Sequence, residues 1–309
     1  MAKSNSSIKQ LDYYRKIHEW TTHFCMRFRG LFTPRSFSPL FQNIEEYDIY
    51  LKKYCGLSIA TCSVLEIGYG ARPLRLIALT SMGINAIGVD LDRPILHGRL
   101  AEFSEMYARN GFERTLKSLI RHFAFDWQER AQLAKALATR GHQLRIFSDA
   151  FICKDATQLD LPSESLDLVI SEDVFEHIQR DTLPVLIDRI ASWLKPNAIA
   201  LIRPCIFTGI TGNHLSEWYP HTLNKPMQRR SEPWEHLRKK RHFANTYLNE
   251  LTRAEFRSMF SRRFQIIEER VTTPNLGKPF LTNKIRDELS KYSDDELFSN
   301  NVLFVLRRR

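Results

Sequence analysis

The stretch Val64-Leu65-Glu66-Ile67-Gly68-Tyr69-Gly70-Ala71-Arg72-Pro73 constrains this chain most: an apolar run carries one acid, turns on two glycines and launches a helix. Gly68 and Gly70 permit a tight turn whose backbone can approach a ligand closely, because no Cβ stands in the way. Pro73 suits the first helical position, where its missing N–H is no loss. The spacing predicts a helix from Leu74 to Met82, with Leu74, Leu76, Ile77 and Leu79 apolar and Gly83 as its stop. A second strand, Ala86-Ile87-Gly88-Val89, ends on Asp90, twenty positions past Gly70. A carboxylate at about that distance is where a nucleotide-type cofactor site places the acid that takes the ribose hydroxyls.

With these residues in view, the chain resembles the class I S-adenosylmethionine-dependent methyltransferases, in particular the type 11-like members. Their first motif is an apolar strand followed by E/D-x-G-x-G-x-G, matched here by Glu66-Ile67-Gly68-Tyr69-Gly70-Ala71-Arg72, with Arg72 where the third glycine stands. That departure argues against a pyrophosphate-binding dinucleotide site. Phe151-Ile152-Cys153-Lys154-Asp155-Ala156 resembles the third strand and the Asp-Ala pair that meets adenine. Ser165 to His177 resembles the fourth strand and its exit, and Trp193-Leu194-Lys195-Pro196-Asn197 followed by Ala198 to Arg203 resembles a helix end, a turn and the fifth strand. The resemblance spans residues 46–309. It implies an α/β fold, a doubly wound Rossmann-like seven-stranded sheet with six parallel strands and one antiparallel. It also implies S-adenosyl-L-methionine as cofactor, held by Glu66, Gly68, Tyr69, Gly70, Asp90, Leu91, Asp155, Ala156 and Glu172.

Around that core the sequence predicts three additions. Residues 1–45 read as an N-terminal helical accessory region: Leu11, Tyr14, Ile17, Trp20 and Phe24 have helical spacing over 8–28, and a Gly/Pro/Ser-rich loop follows through Pro39. A helix from Glu45 to Tyr54 then enters the first strand, and its tyrosines Tyr47, Tyr50 and Tyr54 read as packing. Residues 96–148 form a helical insertion that shapes either a pocket or an oligomer contact. Residues 205–249 form a second insertion, rich in His214, Glu217, Trp218, Tyr219, His221, Trp234, His236 and Tyr247. Because it follows the carboxyl end of a strand, it is expected to be a substrate lid; the alternative is that its aromatics pack a long loop. Thr252-Arg253-Ala254-Glu255 is a capping box, Phe264 to Val271 a sixth strand, Thr282 a helix start and Val302 to Leu306 a seventh strand.

The chemistry implied is attack by a substrate nucleophile on a sulfonium methyl, a reaction that needs alignment and desolvation. An oxygen nucleophile also needs a base or a metal to take or weaken its proton. If the fourth strand exits into a helical turn, Asp173, Glu176 and His177 lie at i, i+3 and i+4 on one face. They then form a candidate Mg2+ site, with His214 as a further ligand, similar to the Glu-x-x-Glu-His of small-RNA 2′-O-methyltransferases and ubiquinone-pathway O-methyltransferases. The metal-free alternative makes His177 the general base, with Glu176 and His214 beside it. No Asn/Asp-Pro-Pro-aromatic segment follows the fourth strand, which disfavours methylation of an exocyclic amine. Cys205 reads as a small buried residue rather than a nucleophile.

Charge and composition narrow the partners. The chain's net charge of +10 is concentrated in Lys225, Arg229, Arg230, Arg238, Lys239, Lys240 and Arg241, opposed locally only by Glu232 and Glu235, and in the tail Arg307 to Arg309. This is either a solvated basic face or a rim for an anionic substrate. Five cysteines with no C-x-x-C spacing indicate neither a disulfide framework nor a zinc knuckle. No segment has the length and apolarity of a membrane span or the h-region of a signal peptide, so a cytoplasmic protein is expected. The expected reaction is O-methylation of a small-molecule or glycan-type substrate. RNA 2′-O-methylation, with nucleic acid as partner, is a less favoured alternative, and a non-catalytic S-adenosylmethionine-binding regulator is another. Oligomeric state is left open.

Overall fold

A computed structural model describes residues 21, 36–223, 225, 229–240 and 246–309. The helix expected over residues 8–28 therefore lies outside the described residues, apart from Thr21. The chain divides into two compact units. One comprises Arg29–Glu172, Val185–Leu201 and Leu306–Arg309; the other includes Asp173–Pro184 and Ile202–Val305.

The strands are β1 (Ser63–Ile67), β2 (Asn85–Asp90), β3 (Phe151–Cys153), β4 (Leu166–Glu172), β5 (Leu194–Arg203), β6 (Phe264–Val271) and β7 (Val302–Arg308). They form one seven-stranded sheet in the order β3-β2-β1-β4-β5-β7-β6. β1 pairs in parallel with β2 and β4, and β2 with β3, while Cys205 and Asn301 form an antiparallel bridge where the last strand reverses. The expected mixed Rossmann-like sheet is thus observed. β1 and β4 read as nearly continuous apolar runs because both faces of a parallel sheet are covered: Val64, Leu65, Leu168, Val169 and Ile170 are buried. The order turns back between β1 and β4, and open α/β sheets bind ligands at such a switch point.

In the unit that carries the glycine turn, helix α1 (Ser38–Cys55) starts several residues before the expected Glu45, because Pro39 fits the first turn, and it ends on the left-handed Gly56. Helix α2 (Leu74–Ser81) follows the glycine turn, with Pro73 just before it rather than within it. Gly83, at φ 81°, stops it as the sequence predicts. The 96–148 insertion is helical: α3 (Leu100–Arg121), bent at Gly111, runs through a π-turn (His122–Asp126) into α4 (Trp127–Ala138).

In the other unit, the predicted capping box opens α5 (Arg253–Phe260): Thr252 accepts from the Glu255 N–H while Glu255 accepts from the Thr252 N–H. Two of the aromatics of residues 205–249 are core here. Trp218 and Trp234 pack with Ile210, Leu289, Leu297 and Phe298, and His236 is buried with a ring nitrogen 2.9 Å from the Phe207 carbonyl.

Candidate functional site

The glycine turn has the geometry its residues predict. Gly68 and Gly70 adopt φ of 79° and 68°, the left-handed region that side chains avoid. The Gly68 N–H donates to the Val89 carbonyl at 2.8 Å, and the Gly70 N–H donates to Asp90 Oδ2 at 2.8 Å. Asp90 Oδ1 also accepts from the Asp92 N–H at 2.9 Å. The ends of β1 and β2 are therefore tied together through the acid. Burial holds the Asp90 carboxyl above its ordinary range, with the backbone N–H groups opposing.

Beneath the turn lies a buried charge network that only part of the sequence reading anticipated. Glu66 is 1% exposed on β1, and an acid there requires a partner. Arg75 of α2 supplies it, with Nε and Nη2 each 2.8 Å from Glu66 Oε1. The same guanidinium reaches Glu172 Oε2 at the end of β4 at 2.5 Å, and Tyr47 of α1 donates its hydroxyl to Glu172 Oε1. One cation thus holds two acids together. Burial raises the Glu66 carboxyl above its usual range, although Arg75 works against that. Among the described residues, Glu66 Oε2 has no hydrogen-bond partner. It belongs to the lining of a cavity of about 340 Å3 bounded by Phe37, Leu40, Glu66, Tyr69, Arg72 and Arg75 among others. Arg75 and Tyr47 were not in the sequence-derived site; the signal for Arg75 was the acid buried in β1, while nothing local marked Tyr47 as more than packing.

The remaining predicted cofactor residues fall in the same unit. Tyr69 is buried, its hydroxyl donating to the Asp92 and Ile152 carbonyls at 3.2 Å and its ring edge-on to Phe151. Leu91 is 71% exposed beside Asp90. Asp155 caps the short turn Ala156–Gln158, accepting from the Thr157 N–H and hydroxyl at 2.8 and 2.7 Å. Arg72, in the third-glycine position, pairs with Glu129 of α4 at 2.7 Å, and Arg121 of α3 donates to the Ala71 carbonyl at 3.2 Å. The helical insertion therefore braces the glycine turn from outside.

The exit of β4 departs from expectation. Asp173 has a left-handed backbone, φ 55°, and the following turn is a 3-10 turn of Phe175–His177, so Asp173, Glu176 and His177 do not form a one-face helical triad. Asp173 Oδ1 accepts from Asn301 Nδ2 at 2.8 Å. His177 Nδ1 lies 2.9 Å from the Tyr247 carbonyl, which places the proton on Nδ1 and leaves Nε2 as an acceptor. Glu176 instead turns inward toward Cys205 and His214, with His214 Nε2 3.9 Å from Glu176 Oε1. The His177 and His214 ring centroids are 5.0 Å apart. Burial first, and the Asp173 charge second, push the Glu176 carboxyl well above the ordinary range. Burial, with His177 and His236, lowers His214 to about 4.

The basic segment is partly neutralised within its own unit. Arg238 pairs with Glu232 at 3.0 Å and Glu288 at 2.5 Å, Lys239 pairs with Glu232, and Arg229 stacks on Trp218 and Phe280. In the unit of the glycine turn, Arg308 of the tail pairs with Glu164 at 2.8 Å. Among the described residues no helix is long and apolar enough to cross a membrane.

Comparison with known proteins adds the following. Residues 107–202, from within α3 through β3 and β4 into β5, match the family model described as a methyltransferase domain; the glycine turn lies outside the matched segment. No curated protein sequence matches the chain. Similar solved structures include an S-adenosylmethionine dependent methyltransferase from Mesorhizobium loti, at 13% identity over 86% of this chain and 100% of that one with a TM-score of 0.42. Another is a SAM dependent methyltransferase from Archaeoglobus fulgidus, at 15% identity over 86% and 94% with a TM-score of 0.41. A third, geranyl diphosphate C-methyltransferase from Streptomyces coelicolor A3(2), is 13% identical over 86% and 76% with a TM-score of 0.43.

Proposed function

We propose, from the match of residues 107–202 to a methyltransferase-domain model, that the chain transfers a methyl group from S-adenosyl-L-methionine to an oxygen of a small-molecule or glycan-type substrate. The observation that carries the cofactor reading is the convergence of Glu66, Asp90 and Glu172 at the carboxyl ends of β1, β2 and β4 around a left-handed glycine turn. The residues suit that cofactor. Glu66 Oε2, unpartnered among the described residues, suits an ammonium group; Asp90 suits ribose hydroxyls; Leu91 offers an exposed apolar side chain for an adenine face.

When bound, S-adenosylmethionine supplies the electrophilic methyl. The chain's own residues bind, orient and deprotonate. The Gly68 to Gly70 backbone and Asp90 hold the ribose end, and the Arg75 network keeps Glu66 and Glu172 in place without excess negative charge. For the substrate hydroxyl, His177 is the proposed base: Tyr247 fixes its tautomer, and Nε2 is free to accept the proton. The reading makes no use of Mg2+, since Asp173 is engaged by Asn301 and His177 by Tyr247. The internal pairing of Arg238 and Lys239 in the basic segment favours a small substrate over an RNA.

The test is the thermal shift with S-adenosylmethionine and S-adenosylhomocysteine, comparing wild type with Asp90→Ala. A ligand at about 100 times its dissociation constant stabilises the fold by roughly 2.7 kcal/mol. Wild type is expected to respond and the variant to lose about 10-fold or more in affinity, the worth of a charge-assisted hydrogen bond. No shift in wild type at millimolar cofactor would overturn the reading.

A further inference from the structure

Three side chains with metal-ligand chemistry meet in the interior of the unit that contains 202–305: Glu176 from the turn after β4, and Cys205 and His214 from the segment after β5. One ligand atom of each lies within 4.8 Å of the others. Glu176 and Cys205 are buried, at 3% and 5% exposure, and the His214 side chain is 18% exposed. Among the described residues, both Glu176 carboxylate oxygens and His214 Nε2 have no hydrogen-bond partner. The N–H groups of Glu176 and Cys205 sit near enough to favour the charged carboxylate, but they do not saturate it. A carboxyl buried with both oxygens unsatisfied costs several kcal/mol unless something else occupies those lone pairs. Cys205 Sγ lies 3.6 Å from Thr211 Oγ1, a weak contact.

We propose that Glu176, Cys205 and His214 bind a divalent ion of borderline softness, of the Zn2+ type, through one carboxylate oxygen, one thiolate sulfur and one imidazole nitrogen. The site differs from the Mg2+ site expected from sequence: it keeps Glu176 and the further ligand His214, but Cys205 takes the place of Asp173 and His177. The donor set selects the metal: a thiolate is a poor ligand for Mg2+ or Ca2+, which take oxygen, whereas mixed S, N and O donors suit zinc. The size also suits it. Ligand atoms on a tetrahedral zinc stand about 3.5 Å apart at ordinary bond lengths, so separations within 4.8 Å have to close by no more than about 1.3 Å. Charge closes as well: binding displaces the carboxyl and thiol protons to solvent, and two negative ligands neutralise the dication in the interior.

A surrounding shell holds the ligands in place. Thr211, beside Cys205, receives the His214 N–H at its carbonyl at 2.8 Å, and is itself held by Asn300 Oδ1 at 3.0 Å from its N–H. Asn249 donates to the Glu176 carbonyl at 2.9 Å and, through Nδ2, to the Phe175 carbonyl at 2.7 Å. Such outer contacts orient metal ligands. With three protein ligands, the fourth position falls to water or another small donor.

The experiment uses the full chain. Metal content is measured on protein purified from zinc-supplemented cells, and the chelated protein is then titrated with Co2+ while its absorption is recorded. About one zinc per chain is expected, together with a thiolate-to-cobalt charge-transfer band. Both should be lost in Cys205→Ser and His214→Ala, weakened in Glu176→Gln, and retained in Cys153→Ser. Far-UV circular dichroism confirms that each variant is folded. A wild-type chain that takes up no Co2+, or takes it up without a thiolate band, overturns the site, and that measurement decides even if a variant fails to fold. Equal binding by Cys205→Ser and His214→Ala overturns it too.

Discussion

Arg72 and Glu129 form an ion pair of 2.7 Å that joins the glycine turn to the helical insertion. The arginine two positions after Gly70 and the helical insertion between β2 and β3 are thereby one structural arrangement. The side chains are 31% and 18% exposed, so solvent screens the pair and its coupling is modest, about 0.5–1 kcal/mol. A double-mutant cycle with Arg72→Gly and Glu129→Gln checks this. Each single variant should weaken S-adenosylmethionine binding several-fold, with the double variant no worse than the stronger single. Strict additivity would mean that the insertion does not brace the turn.

Arg75 is expected to be the most sensitive position of the cofactor unit. Its guanidinium is the shared cation for Glu66 and Glu172, and its loss leaves two acids facing a buried space. Arg75→Met should cost roughly 3–5 kcal/mol in urea unfolding. Arg75→Lys should recover little, because one ammonium cannot reproduce the fork that meets both carboxylates. Glu66→Gln in the Arg75→Met background should recover part of the loss. A cost for Arg75→Met below about 1 kcal/mol would show that the network contributes little.

The acid limb of stability should report Glu269. Burial alone would raise its carboxyl, but Arg257, 2.7 Å away, and Arg253 more than offset it and hold it below the ordinary range of 4.5. A folded-state value below the unfolded one contributes stability that is full above about pH 4.5 and is lost as pH falls through the folded value. Wild type should exceed Glu269→Gln in melting temperature at neutral pH, with the gap narrowing below pH 4.5. A gap independent of pH would assign the difference to packing.

His177→Ala should lower kcat by about 100- to 10,000-fold, the usual share of a positioned base, while the melting temperature changes little. Measured on whichever extract fraction accepts labelled methyl, a variant with full kcat would remove His177 from the chemistry.

The local elements were largely legible. The left-handed glycines, the Asp90 register, the Thr252 capping box and the Thr282 helix start each depend on neighbours a few positions away. The helix before β1 begins earlier than its apolar spacing predicts, because Pro39, a loop signal in sequence, is accepted by a first helical turn. The exit of β4 was misjudged for a different reason. Helical spacing from Asp173 was assumed, but Asp173 takes a left-handed conformation held by Asn301, far away in sequence.

The sequence by itself determined the order of strands and helices, the cofactor turn and the acid that closes it, because periodicity, turn chemistry and short spacings are properties of adjacent residues. Only the tertiary structure decided which charges share a partner: Tyr47 with Glu172, Arg72 with Glu129, Glu176 with Cys205 and His214. Those choices follow from which side chains packing brings together and removes from water, where an unpaired charge is costly enough to select its partner.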